Sequence, residues 1–403
     1  MTQLPVGRPG PSLKYDSRLV WATRVVILVA FLDLFMQFPV IAPYARTLGA
    51  AGILVGVTVA AYSCTNLVGN LAAGAVLDRW GRRWPVLVGL AATTLALLGY
   101  AFSGTPQQLL AVRALHGLTA AVLTPGAFAV LGDSARSGQH ARVMGLSGAF
   151  IAVAAVIGPS AAGVVRDKWG PEAVFLLSAG LMLAAFFIYW FAARSWTPVP
   201  AITTVHGPNA SGAAPRRLPR LVTSYLAALA LTVGLGTLVT HLPVVLTERG
   251  EPAMHIGLTF TTFALVAMIA MASPLSRVSD RFGRLLPIMA GLALTAGGML
   301  VLRVTAGFHG AILGMGVFGL GFGVLFPAMT ALAAELVEWR QRGRAFGVFY
   351  AVFSVGVVIG SVVSGLLSDR LSETTTLPYL IGAAVAIVMV PAVGVIWHWR
   401  PGD

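Results

Sequence analysis

The sequence is poor in charge and nearly free of cysteine. Only 10% of its 403 residues are Asp, Glu, Lys or Arg, while 57% are hydrophobic; an ordinary soluble domain is about 25% charged. That balance excludes a disordered chain, a coiled coil and a typical soluble enzyme. The single cysteine, Cys64, excludes a disulfide framework and a cysteine-built metal or iron–sulfur centre. No GxxxxGK[ST] loop is present, so nothing predicts direct use of ATP. No His, Cys, Asp or Glu cluster has metal-ligand spacing. The net charge is +13, but the basic residues are scattered between apolar runs rather than gathered on a polar face with aromatics, as nucleic-acid binding needs. The chain is expected to use no cofactor and no metal, to bind no nucleic acid, and not to be an enzyme.

Long apolar runs dominate instead. They fall at about 21–43, 51–76, 84–103, 107–131, 143–165 and 172–193, then at 221–246, 255–275, 285–304, 308–334, 343–367 and 377–398. A transmembrane helix needs about 20 mostly apolar residues, so the runs predict twelve spans, numbered 1 to 12 below. They lack the alternation of a membrane β-barrel, which leaves the helix. The first run is too long for a signal-peptide core of about 7–15 residues and reads as a retained first span. Between the two series, 194–219 holds five prolines and the pair Arg216–Arg217, a flexible polar linker. The predicted division is 1–193, the linker, and 220–403.

Lysine and arginine positions set the orientation. With the N-terminus inside, twenty of the 27 fall in inner segments, six in outer ones, and Arg113 within a span. Both termini are expected in the cytoplasm.

The halves repeat at a constant offset of 202. Asp78, Arg79, Gly81, Arg82 and Pro85 match Asp280, Arg281, Gly283, Arg284 and Pro287. Asp133 matches Glu335, and Arg142, Gly145, Gly158, Gly163 and Asp167 match Arg344, Gly347, Gly360, Gly365 and Asp369. Six spans followed by six like them in the same orientation predict an all-α membrane protein of two six-helix bundles related by a pseudo-twofold axis along the membrane normal. In transporters so built, the substrate path lies at the repeat interface.

The loop between spans 2 and 3 reads Gly74-Ala-Val-Leu-Asp78-Arg79-Trp-Gly81-Arg82-Arg83, with a partial copy at 276–284. This resembles the loop motif of the major facilitator superfamily, and the resemblance covers essentially the whole chain. It implies that Asp78 sits at the N-terminus of span 11, near Gly343-Arg344, where free N–H groups and the helix dipole favour an anion. Arg79, Gly81, Arg82 and Asp133 complete that network with Arg344. Asp280, Arg284 and Glu335 form the mirror set against span 5, which begins near Arg142.

Span 4 carries Leu110-Ala-Val-Arg113-Ala-Leu-His116-Gly117. It is similar to the superfamily's second motif, an Arg followed four residues on by Gly, found in proton-coupled members; His116 stands where Gln is more usual. An intramembrane Arg is expensive and normally faces a cavity or a partner. Its repeat mate is Met315, so the scaffold does not demand the charge. Span 5 carries Gly148, then Gly158-Pro159 and Gly163, with Ala162 where a second Gly is usual. This resembles the antiporter motif of drug–proton exporters, built on small residues and a helix-bending proline.

Span 1 ends in Pro39-Val-Ile-Ala-Pro43-Tyr44, similar to twelve-helix drug–proton antiporters. Upstream lies Asp33, the only acidic residue near the middle of a span, with Gln37 one turn later on the same face. Desolvation and a nearby cation act in opposite senses on a buried carboxylate, which suits a reversible proton carrier. His241 in span 7 mirrors Pro39, and histidine titrates near physiological pH. The resemblance implies that spans 1, 4, 7 and 10 line the cavity, and Asp33, Gln37, Arg113, His116 and His241 all lie on the first three. The glycine run of span 10, from Gly314 to Gly323, reads either as a flexible gate or as a close-packing surface. The expectation is a monomeric, proton-coupled antiporter of the bacterial inner membrane. It would export small amphipathic or drug-like compounds by alternating access, driven by the proton gradient across the lipid bilayer. The alternative on the same fold is an uptake symporter of an organic anion, or a lipid flippase.

Overall fold

A backbone crossing an apolar layer must satisfy its N–H and C=O groups internally. The chain does so with helices; the described residues include no strand. The computed structural model describes residues 17–134, 140–194, 218–273, 283–337, 342–372 and 374–398, and the side chains of 140–142 and 342–343 are outside that description. Twelve helices in it are long and apolar enough to span a membrane. Spans 1 to 6 are Ser17–Met36, Gly52–Trp80, Arg83–Ala101, Pro106–Ser134, His140–Trp169 and Pro171–Ala193. Spans 7 to 12 are Leu218–Glu248, Ala253–Ala272, Leu285–Val304, Gly307–Glu335, Arg342–Arg370 and Leu377–His398. The expected linker 194–219 lies almost wholly outside the described residues; Leu218 and Pro219 already belong to span 7, whose first turn tolerates proline.

Proline breaks two spans that the hydropathy pattern treats as continuous. Span 1 stops at Met36 and resumes as a short helix, Ile41–Thr47. Pro39 cannot donate to the Phe35 carbonyl, nor Pro43 to that of Pro39. The freed Pro39 carbonyl accepts instead from Arg166 Nη1 on span 5, at 3.0 Å. Span 4 divides into Pro106–Ala120 and Leu123–Ser134, four residues ahead of Pro125. It opens conventionally, with Pro106 in the first turn and the Thr105 hydroxyl accepting Gln108 N–H. Pro159 lies inside an unbroken span 5.

Packing follows the sequence repeat. Span 1 packs on 5, 2 on 4, and 3 on 6; six spans on, 7 packs on 11, 8 on 10, and 9 on 12. The halves meet through spans 2 and 11 and through spans 5 and 8. Exchanging the halves turns the first contact into the second, which is the signature of a twofold axis.

Those two seams are tight at one end only. Gly52 lies against the backbone of Gly365, and Gly163 against that of Ala253 and Met254, with no room for a Cβ at either glycine. At the opposite end, no described residue packs within 4 Å of the Cβ direction of Gly145, Gly148 or Gly347 on spans 5 and 11. The cleft between the bundles is therefore closed at the end carrying Asp369 and open at the end carrying Asp78.

Candidate functional site

Spans 1 and 4 bring four of the expected residues into one buried cluster. Asp33, Gln37, Arg113 and His116 are each at most 3% exposed, so their polar atoms must find partners within the protein. Gln37 Nε2 donates to Asp33 Oδ1 at 2.7 Å, and Arg113 Nη1 donates to Gln37 Oε1. Arg113 Nη1 also donates to Tyr100 Oη at 3.3 Å, and Tyr100 Oη lies 3.1 Å from His116 Nδ1. His116 Nε2 stands 3.0 Å from Asp33 Oδ2, out of line for a hydrogen bond but well within ion-pair range. Gln37 thus bridges guanidinium to carboxylate by hydrogen bonds, while Tyr100 links Arg113 to His116, whose Nε2 stands beside Asp33. With Tyr100 Oη donating to His116 Nδ1, the donor directions along these hydrogen bonds are consistent.

Two tyrosines complete the cluster. The Arg113 Cζ lies 4.8 Å from the Tyr62 ring centroid, and that ring packs edge-on to His116. Gly117 permits this approach, because a Cβ there would strike the Tyr62 backbone and the Thr65 hydroxyl. Asn66 Nδ2 donates to the Gly117 carbonyl at 3.0 Å beside it. Tyr62 and Tyr100 lie on spans 2 and 3, which the cavity expectation left out. A hydroxyl in an apolar span was the available signal, but its direction becomes visible only in the fold.

The repeat supplies an internal control. The positions 202 residues beyond Asp33, Gln37, Tyr100, Arg113 and His116 are Leu235, Val239, Leu302, Met315 and Phe318. The second bundle builds the same architecture with apolar side chains there, so packing alone does not call for the polar cluster.

The model of the Major Facilitator Superfamily matches residues 25–271 and 224–403. The chain belongs to the Major Facilitator Superfamily. Among curated relatives, Multidrug resistance protein 1 of Bacillus subtilis is 24% identical over 344 residues, 85% of this chain and 88% of that protein. Inner membrane transport protein YajR of Escherichia coli is 24% identical over 93% of this chain and 82% of its own. Quinolone resistance protein NorA of Staphylococcus aureus is 22% identical over 90% and 93%. Among solved structures, a bacterial homologue of the human lysosomal transporter Spinster, inward-facing and occupied, superposes with a TM-score of 0.81 at 14% identity, covering 97% of this chain and all of that one. A POT peptide transporter superposes at 0.80 and 13% identity over 94% of each chain. The protein is a membrane transporter with the major facilitator fold.

The superfamily loop is half assembled. Arg82 Nε donates to Asp133 Oδ2 at 3.0 Å, and Arg284 pairs with Glu335 at the mirror position. Gly81 and Gly283 hold φ of 72° and 80° at the matching turns, which favour glycine. Among the described residues, the expected contact between Asp78 and span 11 is not made. Asp78 is 74% exposed and pairs with Arg82 at 3.6 Å; Arg79 and Arg344 are likewise exposed. The open cleft at this end explains this. Asp280 and the Arg142 side chain lie outside the described residues.

The same device is engaged at the closed end, by residues to which the sequence reading gave no role. Asp369, at the end of span 11, accepts Gly52 N–H and Ile53 N–H at the start of span 2, the latter at 2.7 Å. Its repeat mate Asp167, at the end of span 5, accepts Ala253 N–H and Met254 N–H at the start of span 8, both at 2.8 Å. Each carboxylate satisfies two orphan donors and faces a helix N-terminus.

Other expected residues divide. His241 stands apart from the Asp33 cluster: Nε2 lies 2.7 Å from the Thr375 carbonyl, and Nδ1 3.3 Å from Ser368 Oγ. It neighbours the Asp369 cap rather than Arg113. Gly158 packs on Leu32, Phe35 and Met36 of span 1, and Gly163 on span 8, whereas Gly148 faces open space. The span 10 glycines form a close-packing surface. Gly319 and Gly323 meet span 8, while Gly314 and Gly321 meet span 9.

Proposed function

We propose that the protein is a proton-coupled exporter of small amphipathic or drug-like compounds, working by alternating access. The observation that carries the reading is the buried Asp33–Gln37–His116–Tyr100–Arg113 cluster, absent from the second half of an otherwise repeated scaffold. An ionised Asp33 in a desolvated site is held by its neutral neighbours and, through them, by Arg113. A proton arriving on Asp33 removes that charge. Gln37 then loses its anionic acceptor, His116 its charged neighbour, and Arg113 its counter-charge. This is a local electrostatic change in the seam between spans 1 and 4, next to the break at residues 37–40. The drug-resistance names of the relatives and the Gly158-Pro159 element of span 5 support export.

In this reading the open cleft takes substrate from the cytoplasm; the arginine-rich segments at the Asp78 end support that orientation. The Asp167 and Asp369 caps hold the far end shut. They release as Asp78 and Asp280 engage spans 11 and 5. The energy source is the proton gradient, with no cofactor, and one chain in the bacterial inner membrane suffices.

The test compares cells making the protein with cells lacking it, using a lipophilic cationic dye. The protein should lower dye accumulation, and a protonophore should abolish the difference. Protonophore-sensitive accumulation above the control level would overturn export and favour uptake.

A further inference from the structure

Outside the Asp33 cluster, buried side-chain atoms without a hydrogen-bond partner include Arg83 Nε and Tyr189 Oη. These two belong together. Arg83 is the first residue of span 3, and Tyr189 lies four residues before the end of span 6. The two spans pack against each other and run in opposite directions, so both residues sit at the Asp78 end of the first bundle. Arg83 is the charged group that acts on the Tyr189 hydroxyl. Tyr189 is fully buried, and a buried hydroxyl with no partner is costly enough to need an explanation.

The helix geometry adds a third element. Span 3 has no side-chain cap and no acidic residue in its first turn. Its first amides and the positive end of its dipole therefore face the place where Arg83 is rooted. The surroundings match a membrane interface. Arg83 Cζ lies 5.2 Å from the ring centroid of Trp84, and Trp84, Trp190 and Phe191 are all exposed. Above them the wall is apolar, with Val88 and Leu95 of span 3 exposed.

A guanidinium, an unpaired phenol and an uncapped helix start call for an anion with several acceptor oxygens. The aromatic rim and the apolar wall call for acyl chains attached to it. We propose that the seam between spans 3 and 6, at its Asp78 end, binds the phosphate of an anionic phospholipid headgroup. Arg83 pairs with the phosphate, the Tyr189 hydroxyl donates to it, and the acyl chains lie along span 3. Which leaflet supplies the lipid rests on the orientation proposed above; the site itself does not.

The test uses the full-length protein purified in a nonionic detergent, with thermal unfolding and native mass spectrometry as readouts. The probes are phosphatidylglycerol, phosphatidylcholine and inorganic phosphate. Phosphatidylglycerol should raise the Tm and remain bound in the spectrometer, while phosphatidylcholine and phosphate should do neither. Arg83→Gln should lose the Tm rise, and Arg83→Lys should keep part of it. Tyr189→Phe separates binding from packing. It removes an orphan hydroxyl, so its lipid-free Tm should match or exceed that of the wild type, yet its response to phosphatidylglycerol should at least halve. Equal responses of wild type, Arg83→Gln and Tyr189→Phe to phosphatidylglycerol would overturn the proposal. So would a Tm rise reproduced by inorganic phosphate alone, which would make the ligand a free anion.

Discussion

Removing the two aspartate caps should shift the transporter away from the state with the Asp369 end closed. The perturbation is Asp369→Asn, Asp167→Asn, and the two together. Each carboxylate accepts two N–H groups of a helix's first turn. Loss of such a cap costs about 0.5–2 kcal/mol, and loss of an anion at a helix N-terminus typically about 0.3–1 kcal/mol. An amide keeps one acceptor oxygen, so about 1 kcal/mol per site is reasonable. The caps lie on separate helix pairs and share no partner, so their effects should add to about 2 kcal/mol. That corresponds to roughly 5-fold for each single change and roughly 30-fold for both in the ratio of the two states. The assay is maleimide labelling of Thr247→Cys in a Cys64→Ala background. Thr247 lines a small hollow at the closed end with Pro43, Arg46 and Glu248, so its labelling rate reports opening there. Wild-type labelling in the double variant would refute the idea that these carboxylates hold that end shut.

Three further outcomes follow from particular contacts. Gly158→Leu should abolish uphill transport while leaving insertion intact, because the new side chain meets Leu32, Phe35 and Met36 of span 1; the readout is transport against expression level. Asp78→Asn should slow transport severely but change the Tm little, since its surface pair with Arg82 is worth only about 0–1 kcal/mol; a large loss of Tm would place Asp78 in a structural role instead. Glu251, between spans 7 and 8, is held below the usual carboxylate range, chiefly by its hydrogen bond to His255 and also by Phe308 N–H. A carboxyl with a lowered folded-state pKa contributes stability above its unfolded value of 4.5, lost as the pH falls through the folded one. The Tm gap between wild type and Glu251→Gln should therefore be full at neutral pH and close below pH 4.5; a gap that persists in acid would contradict that origin.

The parts of this molecule set by composition and period were legible in its sequence. Twelve spans follow from run length, and the twofold packing of the bundles follows from the 202-residue offset. Asp33, Gln37, Arg113 and His116 could be grouped because each is a polar residue in an apolar span and none recurs in the second half. The breaks at residues 37–40 and 121–122 were less visible, although Pro39, Pro43 and Pro125 were in plain view. Pro159 and Pro327 lie inside helices that stay unbroken, so proline alone does not decide. The Asp78 contact was expected and is not made, because a sequence encodes every state of a transporter at once, while one structure holds one state. The caps by Asp167 and Asp369 are the complement of that failure. Their signal was an aspartate at the end of one span and a helix start at the seam, in both repeats. His241 shows the limit of assigning residues to a cavity by span number. It shares an expected lining with Arg113, but Ser368 and the Thr375 carbonyl hold it beside a different seam.

The central claim is that Asp33 carries the coupled proton. The most direct measurement places the wild type and Asp33→Asn in proteoliposomes with an imposed pH gradient, following dye and lumenal pH together. The wild type should move dye uphill while dissipating the gradient. Asp33→Asn should do neither, because an amide cannot carry the proton, yet it should still equilibrate dye down its own gradient. Uphill dye transport with matching proton flux in Asp33→Asn would contradict the account and move the proton site elsewhere, His116 being the nearest titratable neighbour.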